Sequence, residues 1–462
     1  MTLWTAADAA AATGGRAQGD WSVTGLGIDS RALASGHLFV ALKAARDGHD
    51  FVGDALAAGA GAALVSRVPE GCADAPLLIV EDVQAALEAL GRAGRARTGA
   101  RVIAVTGSVG KTSTKDMLRH CLAPQGKTHA AIKSYNNHWG VPLTLAAIPP
   151  DADYAIVEIG MNHPGEIAPL AAQARPHVAM VSTVAPVHLE AFADGVDGIA
   201  REKASIFSGL EAGGTAIWNA DLPASDILSE QGTLSFGQSD GADWRMAEIL
   251  PGPDGTTCTA ATPLGEMSFR IGAPGAHFAL NALAVLAAVD AAGGDTALAA
   301  LRLADWAPPD GRGRRHAVTL DPDRPPLDLI DDAYNANPAS IGAALDLLSA
   351  TEPPRRARRI AILGDMKELG PTGPALHRAL ADHPALDNID EVHTVGPLMR
   401  HLHDALPVDG RGRHCEDTLA FARHLRDLVR PGDVVLVKGS LSMKMSVLVD
   451  GLRALGARGA NG

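Results

Sequence analysis

The stretch that decides the fold is Val102-Ile-Ala-Val-Thr106, followed by Gly107-Ser-Val-Gly110 and then Lys111-Thr112-Ser113. A short apolar run enters a glycine turn, and the residues after Gly110 predict a helix that begins near Lys111. Glycine lets the backbone come close to phosphate oxygens, and the first N–H groups of a helix attract the anion. We therefore predict a phosphate-binding loop in which Lys111 reaches the outer phosphates and the Thr112 hydroxyl ligates magnesium. The pattern is the short variant T-G-x-x-G-K-T, because Val105 stands where the common loop has a further glycine.

Similar apolar runs recur along the chain and alternate with Ala/Leu-rich stretches. Several of the runs are apolar almost without interruption, which is typical of parallel strands that are covered on both faces. The alternation of strands and helices predicts an α/β fold. The predicted strands are Ala155–Ile159, Val178–Val184, Leu327–Ile330, Ile360–Leu363 and Val434–Val437, and the predicted helices include Asn281–Ala292 and Ile341–Leu348.

The length of 462 residues allows about two to four domains, each with its own core. We place a first domain at residues 1–98, which ends in the helix-like stretch Val83–Arg97. A second domain covers residues 99–311, and a third covers residues 312–462. The boundary between the second and third domains lies in Trp306–Gly313, where proline and glycine cluster.

Charge and cysteine content limit the classes of function. The formal net charge is −13, which argues against a nucleic-acid partner. We expect the densest basic run, Arg355–Arg359, to be a solvated loop. The four cysteines form no C-x-x-C pair, which argues against a zinc site and favours a reducing compartment. We see no signal peptide and no apolar stretch long enough for a membrane span, so we expect a cytoplasmic protein.

Three polar residues follow or interrupt the predicted elements of the second domain. Glu158 lies at the carboxyl end of a strand, where parallel sheets bind ligands, and could hold magnesium on ATP phosphates. His188 follows the next strand and is either an ordinary loop residue or a metal ligand in the same cleft. Lys203 lies in a helical stretch, and the residues alone favour a solvated lysine.

Further motifs occur in all three predicted domains. The first domain contains Asp29-Ser30-Arg31, then Gly36 to Lys43, then Asp47-Gly-His-Asp-Phe51. The second contains Ser134-Tyr-Asn136-Asn137 before Gly140-Val-Pro142, Glu158-Ile-Gly-Met-Asn162-His163-Pro-Gly-Glu166-Ile167, and His277-Phe-Ala-Leu-Asn281. The third contains Asp331-Asp332-Ala-Tyr334-Asn-Ala-Asn337-Pro338, Gly364-Asp365-Met-Lys-Glu368-Leu-Gly370 before His377, and Val437-Lys438-Gly-Ser440.

In this order, the motifs resemble those of the Mur ligases, the ATP-dependent amide-forming enzymes of peptidoglycan precursor synthesis. The resemblance covers nearly the whole chain. It implies an N-terminal UDP-sugar-binding α/β domain, a central phosphate-loop ATPase domain with a mostly parallel sheet, and a C-terminal Rossmann-like domain. It also implies ATP and two magnesium ions.

The resemblance assigns roles to particular residues, and it changes the interpretation of Lys203. That residue falls where these ligases carry a carbamylated lysine, which would supply a carboxylate to magnesium. Arg312 matches the arginine of the domain linker that would meet the γ-phosphate, although Arg314 and Arg315 compete for this role. The implied catalytic residues are Lys111, Lys203, His188 and Arg312. The implied metal ligands are Thr112, Glu158, His188 and Lys203. The implied nucleotide contacts are Gly107, Ser108, Gly110, Lys111, Thr112, Ser113, Asn281, Arg312 and Asp332. The implied substrate contacts are Ser30, Arg31, Lys43, Asn136, Asn137, Asn162, His163, Tyr334, Asn337, Asp365, Lys438 and Ser440.

The motif G-D-M-x-E-L-G indicates the branch of the family that adds a dipeptide. The branch that adds a diamino acid carries D-N-P-R, which does not occur in this sequence. The implied substrates are UDP-N-acetylmuramoyl-tripeptide and D-alanyl-D-alanine, and we expect a monomer. Two alternatives stay open: another amide ligase, of the Mur or folylpolyglutamate synthase type, and a non-catalytic nucleotide-binding protein of the same fold.

Overall fold

The computed structural model of the chain describes residues 1–252 and 254–459. Its strands form three large sheets and one two-stranded sheet, in which β1 pairs with β3. The strands are β1 Trp4–Thr5, β2 Arg16–Gln18, β3 Ser22–Val23, β4 Gly25–Gly27, β5 His37–Val40, β6 Ala62–Val65, β7 Leu77–Ile79, β8 Arg101–Thr106, β9 Thr128–Ala130, β10 Tyr154–Glu158, β11 Val178–Val181, β12 Thr215–Asn219, β13 Leu234–Gly237, β14 Trp244–Gly252, β15 Gly255–Thr262, β16 Gly265–Ile271, β17 Arg314–Val318, β18 Leu327–Asp332, β19 Arg359–Gly364, β20 Glu391–Val395, β21 Arg411–Cys415 and β22 Val434–Lys438.

Helices separate most of these strands, as the α/β prediction requires, so the predicted fold class is confirmed. The α-helices are α1 Ala6–Thr13, α2 Val52–Ala57, α3 Val83–Arg97, α4 Lys111–Leu122, α5 Gly140–Ala146, α6 Ile167–Ala174, α7 Gly195–Ala204, α8 Ser225–Ser229, α9 Ala276–Ala291, α10 Thr296–Leu303, α11 Pro338–Ala350, α12 Gly373–Ala379, α13 Arg400–Ala405, α14 Thr418–Ala422, α15 Leu425–Leu428 and α16 Ser446–Gly459.

The N-terminal sheet has five strands in the order β2-β7-β6-β5-β4. Strands β4 to β7 are parallel, and β2 is antiparallel to β7. Leu143 and Ala146 of α5 belong to the core of this part of the molecule, together with residues of α1 and α3. A helix that follows the phosphate loop in sequence therefore packs against the N-terminal sheet.

The central sheet has nine strands in the order β16-β15-β14-β13-β12-β11-β8-β10-β9. Strand β8 lies between β10 and β11, and all three are parallel. The phosphate loop therefore leaves the carboxyl end of an interior strand. The antiparallel strands β14, β15 and β16 were not predicted. They alternate buried with exposed positions, which is a weaker signal than an uninterrupted apolar run.

The C-terminal sheet has six strands in the order β17-β18-β22-β19-β20-β21. All of its pairs are parallel except β17 with β18. The expectation for the basic run 355–359 was wrong in part, because Arg358 makes ion pairs with Glu391 and Asp433 at 3.0 and 2.7 Å. The last three residues of the third predicted domain, 460–462, lie outside the described residues. In the part of the chain that is described, no helix is long and apolar enough to cross a membrane.

Candidate active site

A cleft of about 700 Å³ lies between the central and C-terminal sheets. The central part contributes the phosphate loop and the ends of β10 and β11, and the C-terminal part contributes residues after β18, β19 and β22. Ligands in open parallel sheets bind at these carboxyl ends. The cleft brings together these predicted residues: Ser108, Gly110, Lys111, Thr112, Ser113, Asn136, Asn137, Glu158, Asn162, His188, Asn281, Arg312, Asp332, Tyr334, Asn337, Lys438 and Ser440.

The phosphate loop is held in shape by its own backbone and by the loop after β11. Gly110 has φ +82, a conformation that favours glycine, and a Cβ there would lie 3.0 Å from Nδ2 of Asn281. The Thr183 hydroxyl donates to the Val109 carbonyl at 2.9 Å, and the Val109 N–H donates to the Thr183 hydroxyl oxygen at 3.0 Å. The sequence analysis did not single out Thr183, although it lies within the predicted strand Val178–Val184.

Lys111 is the first residue of α4, as predicted. Its ammonium donates to the Gly107 carbonyl at 2.5 Å, so it lies folded over the loop. Burial lowers the pKa of Lys111, while the charge of Glu158 opposes that shift and the charge of Arg312 adds to it. A negatively charged phosphate group in the loop would stabilise the protonated form of this lysine.

A buried cluster surrounds the Glu158 carboxylate at the end of β10. The Thr112 hydroxyl lies 3.1 Å from each carboxylate oxygen, and the Asn136 amide donates to Oε1 at 2.8 Å. The Lys115 ammonium, on a side chain 3% exposed, lies 3.4 Å from Oε2 and donates to the Lys133 carbonyl at 3.0 Å. The sequence analysis did not identify Lys115 as a site residue, although it lies one helical turn after Lys111 and therefore on the same side of α4.

Arg312 extends from the linker across the cleft. Its guanidinium carbon lies 4.1 Å from the centre of the Tyr334 ring, and Nη2 donates to the Ser134 hydroxyl at 3.2 Å. The two competing arginines are held elsewhere by carboxylates. Arg314 pairs with Asp310 at 3.0 Å, and Arg315 pairs with Asp328, with Nε 3.2 Å from Oδ1. The structure thus brings Arg312, of the three, into the cleft.

Residues at the carboxyl ends of β18 and β22, and just after them, form the opposite wall of the cleft. The Lys438 ammonium donates to Asp332 at 2.7 Å and to the Asn335 carbonyl at 2.9 Å. Burial raises the pKa of Asp332, and the charge of Lys438 acts against that shift. Asn337 caps α11, because its side-chain oxygen accepts the Ser340 N–H at 2.9 Å. Its Oδ1 is therefore engaged with the helix.

The base of the cleft beside α9 is partly apolar. Asn281 is buried and adjoins Gly110, while the His277 and Phe278 rings lie 4.0 Å apart. Burial lowers the pKa of His277 to about 4, and the charge of Lys438 contributes in the same direction. A neutral imidazole beside an aromatic ring and a buried amide provides both stacking and hydrogen-bonding groups for a flat heterocycle.

His188 lines the cleft, whereas Lys203 does not. Nδ1 of His188 lies 3.1 Å from Oε2 of Glu368, which belongs to the C-terminal part of the chain. This hydrogen bond lowers the pKa of Glu368. Lys203 is 2% exposed. Burial lowers the pKa of Lys203 well below its usual value, and the charge of Lys111 lowers it further.

Some predicted substrate contacts lie outside this cleft. Ser30, Arg31 and Lys43 belong to the N-terminal part, where Arg31 pairs with Asp29 at 2.9 Å. His163 is exposed beside the cleft. Asp365 is fully buried, accepts the Met399 N–H at 2.8 Å and pairs with Lys367 at 2.8 Å, so its carboxylate supports the loop after β19. The roles of these residues stay predictions.

The residues predicted to bind magnesium fit a divalent cation on their chemistry. Thr112 and Glu158 are in direct contact beside the phosphate loop. Among the side chains that the structure describes, those of residues 1–252 and 254–456, Nε2 of His188 has no hydrogen-bond partner, and neither has the amine of the buried Lys203. Over the same ranges, one group of three His, Cys, Asp or Glu side chains lies close enough to share an ion, and it is elsewhere: Asp310, His316 and Asp331. The Asp331 carboxylate accepts the Gly311 and Ala333 N–H groups.

The fold and the cleft define a class of protein: a three-part α/β nucleotide-binding enzyme whose phosphate loop faces a second Rossmann-like sheet. Family profiles match along the chain. They are the Mur ligase family catalytic domain at residues 22–95, the Mur ligase middle domain at 105–289, and the Mur ligase glutamate ligase domain at 314–441.

Relatives and solved structures agree with these matches. The chain is 37% identical over 453 residues to the UDP-N-acetylmuramoyl-tripeptide–D-alanyl-D-alanine ligase of Escherichia coli (strain K12), covering 96% of each protein. A MurF crystal structure from Acinetobacter baumannii superposes with a TM-score of 0.84 at 29% identity, covering 98% of this chain and 99% of that one. The MurF ligase of Thermotoga maritima, solved in complex with ADP, shares the fold with a TM-score of 0.77 at 24% identity, covering 94% of this chain and 98% of that one. The chain belongs to the Mur ligase family, and it is an ATP-dependent acid–amino-acid ligase.

Proposed function

We propose that this ligase joins D-alanyl-D-alanine to the terminal carboxylate of UDP-N-acetylmuramoyl-tripeptide, with ATP as the energy source, in peptidoglycan precursor synthesis. The observation that carries the proposal is the cleft itself. It places the phosphate loop opposite Arg312 and the Asp332–Lys438 pair, in a chain similar over 96% of its length to an enzyme named for this reaction. The proposal places the enzyme in the cytoplasm, where ATP and UDP-linked precursors are available, and treats it as a monomer.

The nucleotide is held by groups from both sides of the cleft. The phosphates lie on the loop from Gly107 to Ser113, facing the first N–H groups of α4. The adenine lies beside Asn281 and the neutral His277 ring, and Asp332 accepts hydrogen bonds from the ribose. The N-terminal residues Ser30, Arg31 and Lys43 bind the UDP group, because guanidinium and ammonium groups suit a diphosphate.

The reaction has two steps. An oxygen of the tripeptide's terminal carboxylate forms a bond to the γ-phosphorus while the bond to the ADP oxygen breaks, which gives an acyl phosphate and ADP. The dipeptide's amine then attacks the acyl carbon, loses a proton and displaces inorganic phosphate as the amide forms. Lys111 and Arg312 stabilise the negative charge on the phosphoryl group during its transfer. Magnesium, held by Thr112, Glu158, His188 and modified Lys203, would supply further charge neutralisation.

Carbamylation of Lys203 is part of the proposal because the side chain has the properties that this modification requires. Burial and the nearby Lys111 charge favour the neutral amine, which is the nucleophilic form. The amine nitrogen bonds to the carbon of CO2, one proton leaves, and a carboxylate results. The same Lys111 charge that disfavours an ammonium favours this anion. Incorporation of isotopically labelled bicarbonate into the wild type, and none into Lys203→Ala, is the expected result.

The decisive experiment measures phosphate release from ATP with UDP-N-acetylmuramoyl-tripeptide, with and without D-alanyl-D-alanine, and identifies the product by mass spectrometry. We expect release only when both substrates are present, together with a UDP-N-acetylmuramoyl-pentapeptide. Release with a different amino acid would keep the ligase chemistry and overturn the proposed acceptor. Tight nucleotide binding without turnover on any acceptor would indicate a binding protein of the same fold.

A further inference from the structure

The turn that carries His188 meets a loop of the C-terminal part across the cleft. The turn continues into the 3-10 helix Leu189–Ala191, and the opposing loop is the segment 365–370 after β19. The contact includes the 3.1 Å pair between Nδ1 of His188 and Oε2 of Glu368. The two residues lie far apart in sequence, so the pair exists only when the two parts of the chain are together, as they are in this structure.

Both partners of this pair have a backbone conformation that non-glycine residues rarely adopt. His188 has φ +53 and Glu368 has φ +63. Such conformations are sparsely populated by non-glycine residues, and they persist only where the surrounding structure holds them. Both residues of the contact are therefore held in uncommon backbone conformations by the surrounding structure.

The loop that carries Glu368 is fixed to the C-terminal part before Glu368, and after Glu368 it packs against the turn that carries His188. The preceding residue, Lys367, pairs with the buried Asp365, and its N–H donates to the Ser440 hydroxyl at 2.9 Å. On the other side, Gly370 has φ +57, and a Cβ there would come within 3.0 Å of the Glu190 side chain. The Glu368 carboxylate is therefore presented by a firmly held loop that is pressed against the histidine turn.

We propose that Glu368 is a positioning residue for His188, so that closure of the C-terminal part completes a divalent-metal site on the central part. The inference rests on the proposed function, which makes His188 a metal ligand. With Nδ1–H donated to the carboxylate, the imidazole is fixed in the tautomer whose Nε2 lone pair is free to bind a cation. A carboxylate on the second nitrogen of a metal-binding histidine also raises the basicity of the ligating nitrogen.

Manganese binding tests this proposal without using turnover. Manganese is titrated into the full-length protein with saturating ADP, and free ion is followed by electron paramagnetic resonance. The variants are Glu368→Gln, Glu368→Ala and His188→Ala, with Glu190→Gln as the matched control. Glu190 is an exposed carboxylate on the same turn, and the His188 ring pairs with Glu368 instead.

We expect His188→Ala to lose one manganese site and Glu368→Ala to weaken that same site by about 10- to 100-fold. The effect of Glu368→Gln should be smaller, because an amide oxygen still accepts the Nδ1 hydrogen. Glu190→Gln should bind manganese as the wild type does. ADP affinity and the unfolding temperature of each variant show whether it is folded, so that a collapsed loop is not mistaken for a lost ligand.

Three results would overturn the proposal, and they have different meanings. If His188→Ala loses a site but Glu368→Ala does not, His188 still ligates the ion and Glu368 does not position it. If His188→Ala binds manganese as the wild type does, His188 is no metal ligand, and that part of the proposed function fails together with this inference. A loss in Glu190→Gln equal to that in Glu368→Ala would indicate a general effect of charge and would also overturn it.

Discussion

Replacing Arg312 with alanine removes the one linker guanidinium that reaches the cleft. The side chain is held by the Tyr334 ring at 4.1 Å and by the Ser134 hydroxyl at 3.2 Å, so its charge is fixed opposite the phosphate loop. A preorganised donor that meets charge developing in the transition state contributes about 100- to 1000-fold to kcat, or about 2.7–4 kcal/mol. We expect Arg312→Ala to lower kcat and kcat/KM by similar factors in that range, because the contact forms mainly in the transition state.

Arg312→Lys should fall between the wild type and Arg312→Ala. A lysine retains the charge, but it loses the planar stack on Tyr334 and the forked donor geometry. The matched control is Arg314→Ala, two residues away, because Arg314 forms an exposed pair with Asp310 and pairs of this kind contribute about 0–1 kcal/mol. This control should leave kcat near the wild-type value.

The assay couples phosphate release to a colour reaction and follows the product by chromatography, with ADP binding measured by calorimetry as a test of folding. The reasoning is refuted if Arg312→Ala turns over at nearly the wild-type rate. It is also refuted if Arg314→Ala loses as much activity, because the position of Arg312 would then not explain the effect.

Three further predictions concern the phosphate loop, the buried lysine and the N-terminal part. Gly110→Ala should weaken ADP binding about 5- to 30-fold, because the free loop of the variant relaxes away from φ +82 and must regain that conformation on binding, at about 1–2 kcal/mol for alanine. Gly14→Ala, at φ +68 near the N-terminus, should leave the ADP affinity measured by calorimetry unchanged. Lys203→Ala should abolish ligation and regain part of it with small carboxylates, and near-normal activity without them would remove Lys203 from the mechanism. The hydrogen bond from Arg67 is the main reason why the pKa of Asp47 lies below its usual value in the folded protein. The ionised carboxylate therefore stabilises the fold above about pH 4, and this stabilisation is lost as the pH falls toward the lowered pKa of the folded state. The unfolding-temperature gap between wild type and Asp47→Asn should therefore narrow in acid, and a gap independent of pH would contradict this.

The sequence alone was sufficient to predict the structural features whose residues are contiguous in the chain. The strand β8, the glycine turn and the start of α4 at Lys111 were predicted within one residue, because apolar runs and glycine spacing act locally. Helix α3 was predicted with its bounds, and the α/β class followed from the alternation of elements. The antiparallel strands β14 to β16 were missed, because their half-exposed faces give no long apolar run.

The sequence by itself thus determined the phosphate loop, the class of fold and the family motifs. Tertiary structure decided which of three neighbouring arginines enters the cleft, because Arg312 meets the distant Ser134 and Tyr334 there, while Asp310 of the linker pairs with Arg314 and Asp328 of β18 pairs with Arg315. It also decided that Lys203 is buried rather than solvated, that Lys115 contacts Glu158, and that Glu368 contacts His188. These features depend on strand order and on the meeting of distant segments, and the local spacing of residues carries no information about either.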